Sequence, residues 1–237
     1  DSCYPCVFNS YYESLGARVI LTDRGSLGRA TVDEVYQYRR HVDIEMEKML
    51  GDSVTNEVEV LVVLGLNHEQ QHQELLATDI KYILGHNPLF PTYTELANPA
   101  KAGSASDGFV VMEENTYGVG YNGDGFCFDN ELGYHRAFLP GFEIAKRLVT
   151  NAQYLEFIND GGYRKHEYWH AEGLDWVRTH NISAPLYWHW LDDQWQYYKS
   201  TGMQPMEMDD PVTHVSYYEA SAFAAWKGLR LPSEFEW

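Results

Sequence analysis

The chain has 237 residues, with 17 Lys plus Arg against 35 Asp plus Glu and a formal net charge of -18. A chain this long can bury a core without covalent staples, and 44% hydrophobic with 15% aromatic residues excludes a disordered tail. The acidic balance has the wrong sign for tracking a polyphosphate backbone or an anionic lipid surface, so neither nucleic acid nor membrane is an expected partner.

Residues 1–30 carry Gly, Pro and turn residues without a sustained period and read as a loop-rich, aromatic approach segment. At Thr31 the pattern changes. Thr31 with Glu34 fits a capping box, and Val35, Tyr38, Val42, Met46 and Met49 recur at helical spacing up to Gly51. A second helix is expected over 56–84, opened by Glu57 and Glu59, closed by Gly85 with Pro88 beyond, and largely buried. Its apolar run at 58–66 is interrupted by Glu59 and falls short of the roughly 20 residues that a bilayer span needs. Residues 98–107 are rich in Ala, Gly and Ser and read as a linker, which sets domains at 1–97 and 108–237. Beyond it, short aromatic and β-branched segments alternate with turns. Helices are expected at 151–159, capped by Thr150, and at 216–227, entered through Ser216 and closed by Gly228. Three cysteines are too few for a secreted framework and no charged and apolar leader opens the chain, so a reducing cytoplasm is the expected compartment. A start at Asp1 and a stop at Trp237 without a helix stop or polar tail suggest a piece cut at both ends.

Within the second helix lies Asn67-His-Glu-Gln-Gln-His72. His68 and His72 are four residues apart, so both rings leave one face and can chelate one metal through neutral imidazole nitrogens. Leu61, Leu64 and Leu75 share that stripe, which points the imidazoles toward packed interior. Asp79 lies on it too, either as a carboxylate orienting a ligand ring or as a solvated one. The same string satisfies His-Glu-x-x-His, with Glu69 as the general base of a zinc peptidase. That reading needs a third ligand, for which Glu95 or His135 could be named only arbitrarily.

The run His68-Glu-Gln-Gln-His-Gln-Glu-Leu-Leu-Ala-Thr-Asp-Ile-Lys81, with Phe8-Asn-Ser-Tyr-Tyr-Glu13 before it, resembles the ergothioneine-biosynthesis sulfoxide synthases, or hercynine oxygenases. So do Gly125-Phe-Cys-Phe-Asp-Asn-Glu131, the segment 149–163 and Arg230-Leu-Pro-Ser-Glu-Phe-Glu-Trp237, which look like that family's second domain. The resemblance implies an α+β chain in which a DinB-like four-helix bundle portion precedes a C-type-lectin-like domain of the formylglycine-generating-enzyme type. It also implies iron(II) held by three histidines, O2 as co-substrate, and a sulfoxide product. The sulfur of cysteine or γ-glutamylcysteine is joined to carbon 2 of the imidazole of hercynine, the trimethylated histidine.

By motif, His68 and His72 then hold the metal, and Gln71 contacts the substrate imidazole as a neutral amide. Tyr11 and Tyr12 stand near the iron as phenol donors, and Arg24 holds the thiol substrate's carboxylate. The family's third histidine precedes the Phe-Asn-Ser-Tyr-Tyr segment, where this numbering has none; His41 is set aside as an exposed helix histidine. Three facial ligands leave open positions on a six-coordinate ion, which a closed four-ligand site would not. Cys3-Tyr-Pro-Cys6 is read as incidental, and Cys127, the one cysteine of the second half, disfavours sulfatase maturation. The Trp and Tyr cluster over 169–198 is read as core filling rather than as a cage for a quaternary ammonium. The alternatives are a zinc peptidase, a selenium-transferring relative of the same family, and a non-enzymatic lectin-like binding module.

Overall fold

The structure, a computed structural model, describes residues 30–51, 54–95 and 107–237. The chain divides into two units, Asp1–Val63 and Leu64–Trp237. The division between them falls inside a helix.

Two long helices come first among the described residues, α1 at Val32–Gly51 and α2 at Asn56–Gly85. The expected capping box starts α1: the Glu34 N–H donates to Thr31 Oγ1 (3.3 Å), and the Thr31 N–H donates to the Glu34 carboxylate (2.8 Å). That backbone donor holds the Glu34 carboxyl below its usual range. At the start of α2, Thr55 Oγ1 accepts the Val58 N–H (3.4 Å). The burial expected for α2 is not observed. Gly85 is its single buried residue, while Leu61, Leu64 and Leu75 are 65%, 42% and 59% exposed. A periodic stripe identifies a face but not what covers it. Among the described residues only α1 and α2 belong to the helical half, where a bundle would supply four helices.

Gly85 marks where α2 meets the second half of the chain. A Cβ there would fall 2.7 Å from Tyr187 Cε1 and 2.9 Å from Tyr198 Cδ1, on rings that are themselves buried. Just beyond, the Tyr93 and Thr94 N–H groups donate to Ser200 O (2.8 and 3.0 Å), and Tyr198 Oη donates to Pro91 O (2.7 Å). These ties place the end of α2 in the second unit. Alanine at Gly85 gains about 1 kcal/mol of helix propensity, but neither buried ring can withdraw without losing packing, which costs about 1–3 kcal/mol. Gly85→Ala is therefore expected to lower stability, read as a lower urea midpoint at unchanged m.

Among the described residues of the second unit, seven short strands pair antiparallel. β1 (Phe109–Met112) pairs with β4 (Phe142–Ala145), and β2 (Asn115–Val119) pairs with β3 (His135–Leu139). β5 (Trp188–Leu191), β6 (Gln194–Lys199) and β7 (Gly202–Pro205) form one sheet in that order, with Trp188 opposite Tyr197 and Tyr198 opposite Met203. The β5–β6 hairpin turns at Asp192 and Asp193, both with positive φ (50° and 58°), the pairing that a two-residue hairpin loop requires. Three helices complete the unit: α3 (Asn151–Asn159), α4 (Ala171–His180) and α5 (Tyr217–Trp226). Thr150 and Ser216 cap α3 and α5 as expected, each in a full capping box. α4 was not foreseen; its cap residue His170 makes no side-chain capping bond.

The core lies where these helices meet the β5–β7 sheet. Tyr154 of α3 stacks on Phe223 of α5 (5.4 Å, 18°), and Phe157 meets Phe223 edge-on. Trp169, Tyr187, Trp188 and Tyr198 are buried and Trp195 and Tyr197 pack against the core, whereas Trp176 and Trp190 are exposed. One buried carboxylate sits among these rings. Glu219 accepts the Tyr163 O–H (2.6 Å) and the Ser216 N–H (2.7 Å), and Tyr154 Oη lies 3.2 Å from Tyr163 Oη. Burial pushes both phenols well above their usual range. At the end of the chain Arg230 grips Glu236 through two bonds of 2.6 Å, and that guanidinium holds the Glu236 carboxyl down to about 2. Among the described residues no helix is long and apolar enough to cross a membrane.

Candidate metal centre

α2 brings His68 and His72 together as the four-residue spacing requires. Their ring centroids are 4.6 Å apart with planes at 80°. Both are exposed, which corrects the expectation that they face packed interior. The reason is the open leucine stripe around them, since a ring takes the exposure of the face it shares. Neither imidazole is engaged in a hydrogen bond with another described residue, so their nitrogens are available as donors. Asp79 is exposed on the same helix and bonds to neither ring. Glu69 and Gln71 are exposed beside the pair, and His41 is exposed on α1. His135 sits on β3 against the Phe235 ring (5.4 Å). Tyr11, Tyr12 and Arg24 lie outside the described residues.

Among the described residues no third His, Cys, Asp or Glu converges with the pair. The donor set in view is thus two imidazoles. That set suits a divalent first-row ion such as iron or zinc and fills two of its positions.

A second cluster, which the sequence reading missed, surrounds the other end of α2. Lys81 Nζ lies 2.6 Å from His214 Nε2 and 4.8 Å from the centre of the Tyr187 ring. His214 meets the same ring edge-on at 4.8 Å. Tyr187 and His214 both have left-handed backbone, φ 73° and 60°, a conformation that ordinary residues seldom take unless the surroundings impose it. His86 Nδ1 lies 2.8 Å from Tyr82 O, and the His189 ring on β5 packs on Phe90. Burial first, and His86 second, hold the His189 imidazole below its usual range.

Residues 94–237 match the sulfatase-modifying factor enzyme 1-like domain, and the chain belongs to that family. Its mixed helices and short strands agree with the lectin-like expectation for this half. Among curated proteins the chain is 34% identical over 173 residues to the hercynine oxygenase of Mycolicibacterium thermoresistibile, a match covering 73% of this chain and 38% of the relative. It is 33% identical over 180 residues to the hercynine oxygenase of Mycobacterium tuberculosis, covering 73% of this chain and 40% of that protein. The formylglycine-generating enzyme of Streptomyces coelicolor is 29% identical over 157 residues, 59% of this chain and 48% of the relative. The chain thus matches about two fifths of the length of these oxygenases. A stretch of 173 residues cannot be placed within 237 without including His68 and His72, so the likeness to the oxygenases reaches into α2.

Proposed function

We propose that the chain is part of an iron(II)- and O2-dependent sulfoxide synthase that joins the sulfur of cysteine or γ-glutamylcysteine to carbon 2 of the imidazole of hercynine. The observation that carries this reading is the pair of available imidazoles on one helix face, 4.6 Å apart, in a stretch alignable with hercynine oxygenases. In the reaction, the ring C–H and the thiol S–H give up two electrons as the C–S bond forms. Oxidation of sulfur to the sulfoxide gives up two more. O2 accepts all four, with one oxygen going to sulfur and the other leaving as water.

His68 and His72 would hold the ion, with a further ligand from outside the described residues. A bound ferrous ion would supply redox chemistry toward O2 together with open positions for a thiol. Gln71, one residue before His72, would bond to a substrate ring nitrogen while adding no charge beside a dication. A phenol at Tyr11 or Tyr12 would hold or deliver a proton, and Arg24 would orient the thiol substrate's carboxylate.

The test is anaerobic iron reconstitution followed by O2 uptake with hercynine and each thiol in turn. Uptake that needs both substrates is expected, and uptake with neither thiol would overturn the assignment. Because His68-Glu69-Gln-Gln-His72 also fits a zinc peptidase, the metal is assayed in protein purified without additions. Zinc, with a peptidase activity lost in Glu69→Gln, would favour that alternative.

A further inference from the structure

We propose that the Lys81–His214 contact is an acid-released latch that holds the C-terminal end of α2 against the β5–β7 sheet. Two nitrogens 2.6 Å apart can share one proton, with the Lys81 ammonium donating to an unprotonated Nε2. Once the imidazole takes a proton of its own, neither atom can accept. Two cations then face each other across the same gap, and the contact opens. The inference holds whether or not α2 carries a metal.

The surroundings sharpen this behaviour. On α2 itself Lys81 is accompanied by Tyr82 and His86. From the facing elements it meets His214, the Tyr187 ring and the charge of Lys199 on β6, which is itself paired with Asp210 (3.1 Å). His214 faces Lys81 and Tyr187, and His189 on β5 feels the charge of His86. Among the described residues no carboxylate lies within ion-pair distance of Lys81, so nothing in view neutralises a second positive charge. Partial burial and the Lys81 charge hold the His214 imidazole below its usual range, although the residue keeps an exposed edge; burial and Lys199 do the same to the Lys81 ammonium. The left-handed backbone at Tyr187 and His214 persists only while the contacts around it are made.

The sign follows. In the opened state His214 binds its proton near its ordinary value of about 6.5, while the closed state resists it. Closure is therefore fully favoured above that value and weakens as pH falls through it, by about tenfold in population per pH unit.

Amide hydrogen exchange on the full chain, corrected for intrinsic rates, reads this directly at residues 80–86 and 186–188. Wild type is expected to lose about tenfold protection per unit of pH below about 6.5. His214→Gln keeps a side-chain acceptor that does not titrate, so protection there is expected to stay high and flat with pH. Lys81→Met removes one cation; because burial still opposes a proton on His214, its protection is expected to be lower and to fall by less with pH than in wild type. Either variant decides the matter if the other does not fold. A flat profile in wild type, or an undiminished slope in a folded variant, would overturn the latch.

Discussion

Replacing either His68 or His72 by alanine is expected to abolish iron loading of the reconstituted protein. The two rings sit on one helical face 4.6 Å apart, so each would hold an ion where the other can reach it. With one removed, the remaining imidazole binds a metal no better than any exposed histidine. The loss should exceed the about 10–100-fold that removing an outer partner of a metal ligand costs. Neither substitution should disturb the fold, because both rings are exposed and alanine is the better helix former. Iron per chain by elemental analysis, with circular dichroism to show an intact helix, checks this. Normal iron stoichiometry in both variants would remove the basis of the functional proposal. Gln71→Ala serves as the control: iron is retained and hercynine binding is weakened.

The second large effect is expected in the core. Glu219→Ala removes an acceptor shared by the Tyr163 hydroxyl and the Ser216 N–H at the start of α5. It leaves a buried donor short of its partner and a helix without its reciprocal cap. The first loss costs about 1–3 kcal/mol and the second about 1 kcal/mol, so the domain should lose about 2–4 kcal/mol. Glu219→Gln should behave differently. Its carbonyl can still accept from Ser216 while its amide donates to Tyr163, whose own proton turns to Tyr154, 3.2 Å away. The expected loss is then under about 1 kcal/mol. Denaturant unfolding separates the two variants, and equal destabilisation would show that the carboxylate's bonds are not what matters there.

These two sites differ in how far the sequence disclosed them. Capping boxes at Thr31, Thr150 and Ser216 are local signals, four residues long, and each marks a helix start in the structure. His68 and His72 were legible for the same reason, since their spacing alone fixes a common face. α4 left no such mark: His170 makes no capping bond, and the helix buries only Gly173 and Val177. The β5–β6 turn was equally silent, because Asp192-Asp193 lacks the glycine that usually announces such a loop. The exposure of Leu61, Leu64 and Leu75 was misread because burial depends on neighbours that periodicity does not name. Lys81 and His214 are 133 residues apart, and no local pattern joins them.

The anchoring of α2 through Gly85 and Lys81 also sets the compass bearing of its histidines. Nine residues separate His72 from Lys81, which at 3.6 residues per turn is about half a revolution. With Lys81 facing His214 and Tyr187, the His68–His72 side is turned away from the β5–β7 sheet. If the pair holds a metal as proposed, any further ligand would have to approach from the opposite flank of the helix.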